Sequence, residues 1–112
     1  VKDQIDSSAM LTIKGVFANG PYGNIMDEAR IYDNNGKFTI LLNNLNVTNG
    51  PDLHVYLSKE RRPLSLVDLG NLKSTTDPQD YEIKGRPDFT SFKYALIHCQ
   101  QYDHLFGSAE LQ

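Results

Sequence analysis

Apolar and polar positions alternate along most of the chain, and the alternation begins at Met10. Leu11, Ile13 and Phe17 share one parity, with Thr12 and Lys14 on the other, which predicts a half-buried strand. Gly15 falls on the apolar parity, where a missing side chain signals a bulge or a close backbone approach. The breaker-dense run Asn19 to Asn24 is a loop. Ile25, Ala29 and Ile31 then alternate with Glu28, Arg30 and Tyr32 in a second strand. Phe38, Ile40 and Leu42 form a third. Between them stands Asp33-Asn34-Asn35-Gly36. Asn-Gly enters positive φ at both central positions of a type I′ turn, so the two runs form a hairpin.

Asn43 to Gly50 is a polar loop, and Pro51 opens the next strand. That strand carries Leu53, Val55 and Leu57 on one face and His54, Tyr56 and Ser58 on the other. Bulk on both faces marks a central strand. Lys59 to Gly70 is irregular, and Ser65 to Gly70 predicts one helical turn, with Ser65 as N-cap and Gly70 as stop. Gln79 to Lys84 is a short strand, Asp88 caps a turn over Phe89 and Phe92, and the block from Tyr94 holds two final strands. About seven or eight short strands, with no helical periodicity, predict an all-β fold: an antiparallel β-sandwich or partly closed small barrel. The predicted core is Leu11, Ile13, Phe17, Ile31, Phe38, Ile40, Leu42, Leu53, Val55, Leu57, Ile97 and Cys99.

Residues 1–9 are polar and aperiodic and read as a tail or tether, leaving residues 10–112 as one domain. Such a domain buries roughly 65% of the surface of its unfolded chain, enough to fold without disulfides or a structural metal. Eleven Lys and Arg against 14 Asp and Glu give a net charge of -3. That balance argues against nucleic acid as a partner, because phosphate binding needs a basic face. No run approaches the ~18 apolar residues of a membrane span, so any membrane attachment is through an N-terminal tether.

The reactive inventory is His54, His98, His104 and the single Cys99. One cysteine excludes an intrachain disulfide, a CxxC pair and multi-cysteine metal sites. Strand parity places Cys99 with Ala95 and Ile97, and His98 on the opposite face with Tyr94 and Leu96. Cys99 is therefore either a small buried core residue or a redox or ligating thiol. For redox work a buried thiol needs something that favours the thiolate: an imidazole nitrogen within ~4 Å, a metal or ligand-sized cavity, or an opening to solvent. His104, five residues on, and His54, if its strand pairs alongside, are the neighbouring imidazoles to consider. The order His54, Cys99, His104 also matches a mononuclear copper set, although no Met follows the second histidine. The alternative for both histidines is an ordinary exposed or hydrogen-bonded strand residue. No G-x-S-x-G elbow, H-E-x-x-H pair or phosphate loop points to a hydrolase, and nothing in these residues makes the chain an enzyme. Asn46-Val47-Thr48 is a glycosylation sequon.

Gly15 and Phe17, the stretch Gly50 to Leu57 (GPDLHVYL), Leu69-Gly70 with Leu72-Lys73, Tyr81, and the block Cys99, Phe106, Gly107, Ala109 and Leu111 together resemble the DM-thirteen domain family. The resemblance runs from about Gly15 to Leu111. It implies a small extracytoplasmic module, periplasmic or at the cell surface and sometimes lipid-anchored. The implied function is electron transfer with a redox protein partner. Cys99 is then the redox residue, as a bare thiol or as ligand to a group such as haem, and the companions to it are His104 and His54 as read from their positions in the chain. The chain departs from the family pattern at His98, where Trp is frequent, and between the first two strands, where a His followed by Gly is replaced by Tyr22 and Ile25-Met26-Asp27-Glu28. A non-enzymatic binding or structural β module, with Cys99 as core, is the rival reading.

Overall fold

A computed structural model describes residues 9–112. The predicted tail, residues 1–9, lies outside them except for Ala9. Ten strands follow in order: β1 (Met10–Asn19), β2 (Ile25–Met26), β3 (Glu28–Asn34), β4 (Lys37–Leu42), β5 (Asn46–Val47), β6 (Leu53–Ser58), β7 (Val67–Asn71), β8 (Gln79–Ile83), β9 (Tyr94–Cys99) and β10 (His104–Glu110). No helix occurs among the described residues. Eight strands form one antiparallel sheet in the order β7-β6-β9-β10-β1-β3-β4-β8, nearly closed into a barrel, and β2 pairs with β5 separately.

β1 is the element that lets the sheet curl. Its residues Met10 to Val16 pair with β3, and Phe17 to Asn19 pair with β10. At the crossover lies Gly15, where a Cβ would stand 2.1 Å from the Glu110 carbonyl oxygen. The close approach expected of that glycine is therefore real. The β3–β4 hairpin turns on Asn35 (φ 54) and Gly36 (φ 84), both in the left-handed region that Asn and Gly enter at low cost. The Asp33 carboxylate holds the Gly36 N–H at 2.7 Å.

The open edge between β7 and β8 is latched by a fully buried glutamine. Gln79 Oε1 accepts the Lys73 N–H at 3.1 Å and the Ser74 N–H at 3.2 Å, and its Nε2 donates to Ser74 O at 2.7 Å. The Tyr81 hydroxyl also donates to that Oε1 and accepts the Lys73 N–H at 2.8 Å. A buried amide with every site used fixes the loop it faces.

The core runs through the barrel: Phe17, Ile31, Ile40, Leu42, Leu53, Val55, Leu57, Ile97 and Cys99 are buried, as expected. Ile13 and Phe38 are half-buried and pack against them. Leu11 is a correction, being 48% exposed. The register of β1 against β3 slips between Leu11, opposite Tyr32, and Ile13, opposite Ile31. The bulge turns Leu11 to the outer face although its sequence parity matches the core. The expected strand from Ile25 to Ile31 is two strands, broken at Asp27 (φ 98). The expected helical turn at Ser65 to Gly70 is a further correction, because Val67–Asn71 forms β7. Ser65 (φ 49) and Gly70 (φ 109) leave the helical region, and Val67 and Leu69 pack inward against the core.

Candidate functional site

β6 lies between β7 and β9, and Leu53 pairs with Cys99 while His54 pairs with His98. Directly opposed residues share a face, so the register settles where each reactive group points. Cys99 joins the core, 1% exposed. Its Sγ donates to the carbonyl oxygen of Pro51 at 2.9 Å. Pro51 and Asp52 (φ 54) form the turn that leads into β6. The Asp52 carbonyl also receives the Gln100 N–H at 3.1 Å, so one turn closes over the end of β9.

His104 is the cross-strand neighbour of Cys99, yet its ring stacks on Tyr22, with centroids 3.7 Å apart and planes within 4°. The hydrogen bond of Cys99 thus goes to Pro51 and to neither imidazole. His54 sits on the other face of β6. Its Nδ1 lies 3.0 and 3.1 Å from the two Asp68 carboxylate oxygens, and its Nε2 lies 3.0 Å from Asp52 Oδ1. A neutral imidazole has one N–H and a carboxylate has none. Only the imidazolium satisfies both acids. Burial pushes the His54 pKa down, but the hydrogen bonds to Asp68 and Asp52 and their charge outweigh it, and the net shift is upward from 6.5.

His98, the cross-strand partner of His54, is held differently. Its Nε2 donates to Asp103 at 2.8 Å, and its buried Nδ1 has no hydrogen-bond partner among the described residues. Tyr56 lies beside both rings, 5.9 Å from that of His54 and 5.6 Å from that of His98. Its hydroxyl accepts from Gln100 Nε2 at 3.1 Å. Burial, reinforced by the nearby Asp68, Asp52 and Asp103, raises the Tyr56 pKa above 10.0 despite that hydrogen bond.

The structure therefore separates the three residues of the copper set. His54 faces the outer layer, Cys99 the core, and His104 lies against Tyr22. No group of three or more His, Cys, Asp or Glu able to hold a metal ion occurs among the described residues. Haem does not fit either. The sulfur is covered by Pro51, and the space beside Gly50 is filled by the Phe106 ring, whose Cζ would lie 2.6 Å from a Cβ there. A planar macrocycle has no open face to meet the thiol. Sequence reasoning missed Asp52, Tyr56, Asp68 and Gln100. Asp52 and His54 share a parity two residues apart, which was a readable signal, whereas Asp68 reaches them through the register of β7.

No curated protein and no solved structure matches the chain. A family model described as electron transfer DM13 matches residues 16–111. The match takes in the Gly50 to Leu57 stretch, the covering turn and Cys99, and on that extent the chain belongs to the electron-transfer DM13 family.

Proposed function

We propose that this domain transfers electrons outside the cytoplasm through Cys99, whose thiol is stored under the Pro51-Asp52 turn and used when that turn lifts. The observation that carries the reading is the 2.9 Å contact from Cys99 Sγ to Pro51 O. It joins, at one pair of atoms, the two stretches on which the family likeness rests. While it holds, the sulfur is an S–H donor, and the nucleophile of sulfur chemistry is the thiolate. Lifting the turn lets water take the proton. The thiolate can then attack a partner protein's disulfide: a bond forms from Cys99 to one partner sulfur, and the other leaves as thiolate with the electron pair. A thiolate of a donor dithiol protein then attacks the Cys99 sulfur of the mixed disulfide, and the second acceptor sulfur leaves as thiolate. The donor's other thiolate resolves the donor–Cys99 disulfide, closing the donor disulfide and releasing the Cys99 thiolate. Two electrons have passed from donor to acceptor, and no cofactor is required. Disulfide partners persist in oxidising compartments, so this chemistry goes with the extracytoplasmic setting proposed here.

The second reading is a non-enzymatic β module in which Cys99 is packing. Its support is the 1% exposure of Cys99 within the core cluster. One experiment separates the two. Native protein is mixed with a small aromatic disulfide at neutral pH, and the labelling rate is compared with the global unfolding rate. Labelling well above the unfolding rate is the expected result. Labelling only at the unfolding rate makes Cys99 a core residue and ends the redox reading.

A further inference from the structure

We infer that His54, as an imidazolium, is the clasp that keeps the Pro51-Asp52 turn closed over the Cys99 sulfur, so that the turn loosens as pH rises and His54 loses its proton. As regulation of the thiol, this rests on the redox reading of Cys99; as a property of the turn, it stands alone.

The geometry places one short segment under three restraints. The Pro51 carbonyl receives the Cys99 S–H, the Asp52 carbonyl receives the Gln100 N–H, and the Asp52 carboxylate receives His54 Nε2–H. Asp52 holds φ 54, a left-handed conformation that Asp enters more readily than most residues with a Cβ, and these restraints fix the turn in it. The two carboxylates on His54 are not equivalent. Asp68 is anchored on its own, accepting the Gly70 N–H at 2.9 Å and approached by Gln100 Nε2 at 3.4 Å. It also takes Nδ1 with both oxygens. Among the described residues Asp52 has beyond His54 only the Asn71 amide at 3.4 Å, and its side chain is 32% exposed. When the imidazolium loses a proton, the better-held Nδ1–H stays with Asp68. Nε2 becomes a bare lone pair 3.0 Å from Asp52 Oδ1, acceptor against acceptor. Asp52 can relieve that contact by swinging toward water, and the turn it belongs to loses its side-chain restraint.

The groups that face His54 on balance favour its charged form over burial. On its own strand and the preceding turn these are Tyr56 and Asp52. From β7 comes Asp68 with the amide of Asn71. From β9 and the turn beyond come His98, paired to Asp103, and the amide of Gln100. Three carboxylates thus surround His54 and its neighbour His98. Consistently, the His54 pKa is raised in this setting.

The test measures two things in the wild type and in His54→Gln between pH ~6 and ~9: the labelling rate of Cys99 with a small aromatic disulfide, and hydrogen exchange at the Gln100 amide. Taking the ratio of the two proteins at each pH cancels the thiolate fraction and the intrinsic exchange chemistry. At the acid end the wild type is expected to be about tenfold slower by both readouts, the worth of one charge-assisted hydrogen bond. The ratio should climb toward one as pH rises. Asp52→Asn supplies the second variant: its amide can donate to a bare Nε2, and Asn tolerates the left-handed turn, so the pH dependence should vanish while the fold stays. Ratios flat with pH for both readouts would overturn the clasp, whatever the thiol does. A Gln100 ratio that follows pH, with a thiol labelled only on global unfolding, would keep the clasp and remove the redox reading.

Discussion

The two faces of the β6–β9 pair use one backbone and one register, yet they are held by different physics. On the inner face Leu53, Val55 and Leu57 meet Cys99, Ile97 and Ala95, all buried and apolar apart from a single thiol. On the outer face His54, Tyr56 and Ser58 meet His98, Leu96 and Tyr94, and most of these are buried too. Removal of apolar area from water stabilises the inner face, and that term ignores pH. The outer face depends on directed bonds among His54, Asp52, Asp68, Tyr56 and Gln100, and those change with protonation. His98 and Cys99 touch in sequence and belong to separate chemistries. The difference teaches that adjacency along a strand says little about adjacency of function, whereas the cross-strand partner says a great deal.

The largest effect that would test this contrast is on the inner face. Leu53→Ala should lower stability by about 2–5 kcal/mol in a denaturant titration, because Leu53 is 6% exposed opposite Cys99. The loss should be the same at pH ~6 and ~9, since no titrating group is removed. A loss that varied with pH would mean that the two faces are coupled.

The outer face should give a smaller, pH-dependent effect. The His54 pKa is raised in the folded protein, so its contribution is fully present below the unfolded value of about 6.5 and is lost as pH rises through the folded value. Stability should therefore decline on the alkaline side by an amount on the order of 1 kcal/mol, and Asp68→Asn should flatten that decline. Comparable in size but independent of pH is Tyr56→Phe, which deletes the acceptor of Gln100 Nε2 and should cost about 0.5–1.5 kcal/mol. Unchanged stability in both variants would reduce the outer face to a passive surface.

Much of the inner face was legible in the sequence, because period-two alternation at Leu53, Val55 and Leu57 and at Ala95, Ile97 and Cys99 is a local signal. The Asn35-Gly36 hairpin and the close approach at Gly15 were legible for the same reason. The outer site was not, and the reason is a bulge. β6 pairs with β7 at Tyr56 and Asp68, then slips, so that His54 faces Asn71. That slip brings Asp68 and Asn71, of opposite parity, around one imidazole. The same kind of slip at Leu11 defeated the core assignment there. Irregularities in pairing depend on two strands at once, and alternation within one strand carries no trace of them.

The finest comparison is between the two histidines that face each other across β6 and β9. His54 satisfies two carboxylates, and its removal takes away the donor that Asp52 and Asp68 share. His98 satisfies one carboxylate, Asp103, whose side chain is 89% exposed and returns to water at little cost when released. The other nitrogen of His98 is buried without a partner among the described residues, and an orphaned buried acceptor costs about 1–3 kcal/mol. The bond His98 makes and the acceptor it strands nearly offset. His98→Phe keeps the ring and its contact with Tyr56 while removing both terms, so stability should move by no more than about 0.5 kcal/mol, toward stabilisation. The pH dependence assigned to His54 should survive the change. A loss above about 2 kcal/mol would show that Nδ1 holds an ordered water, and would make His98 a member of the outer network on the same footing as His54.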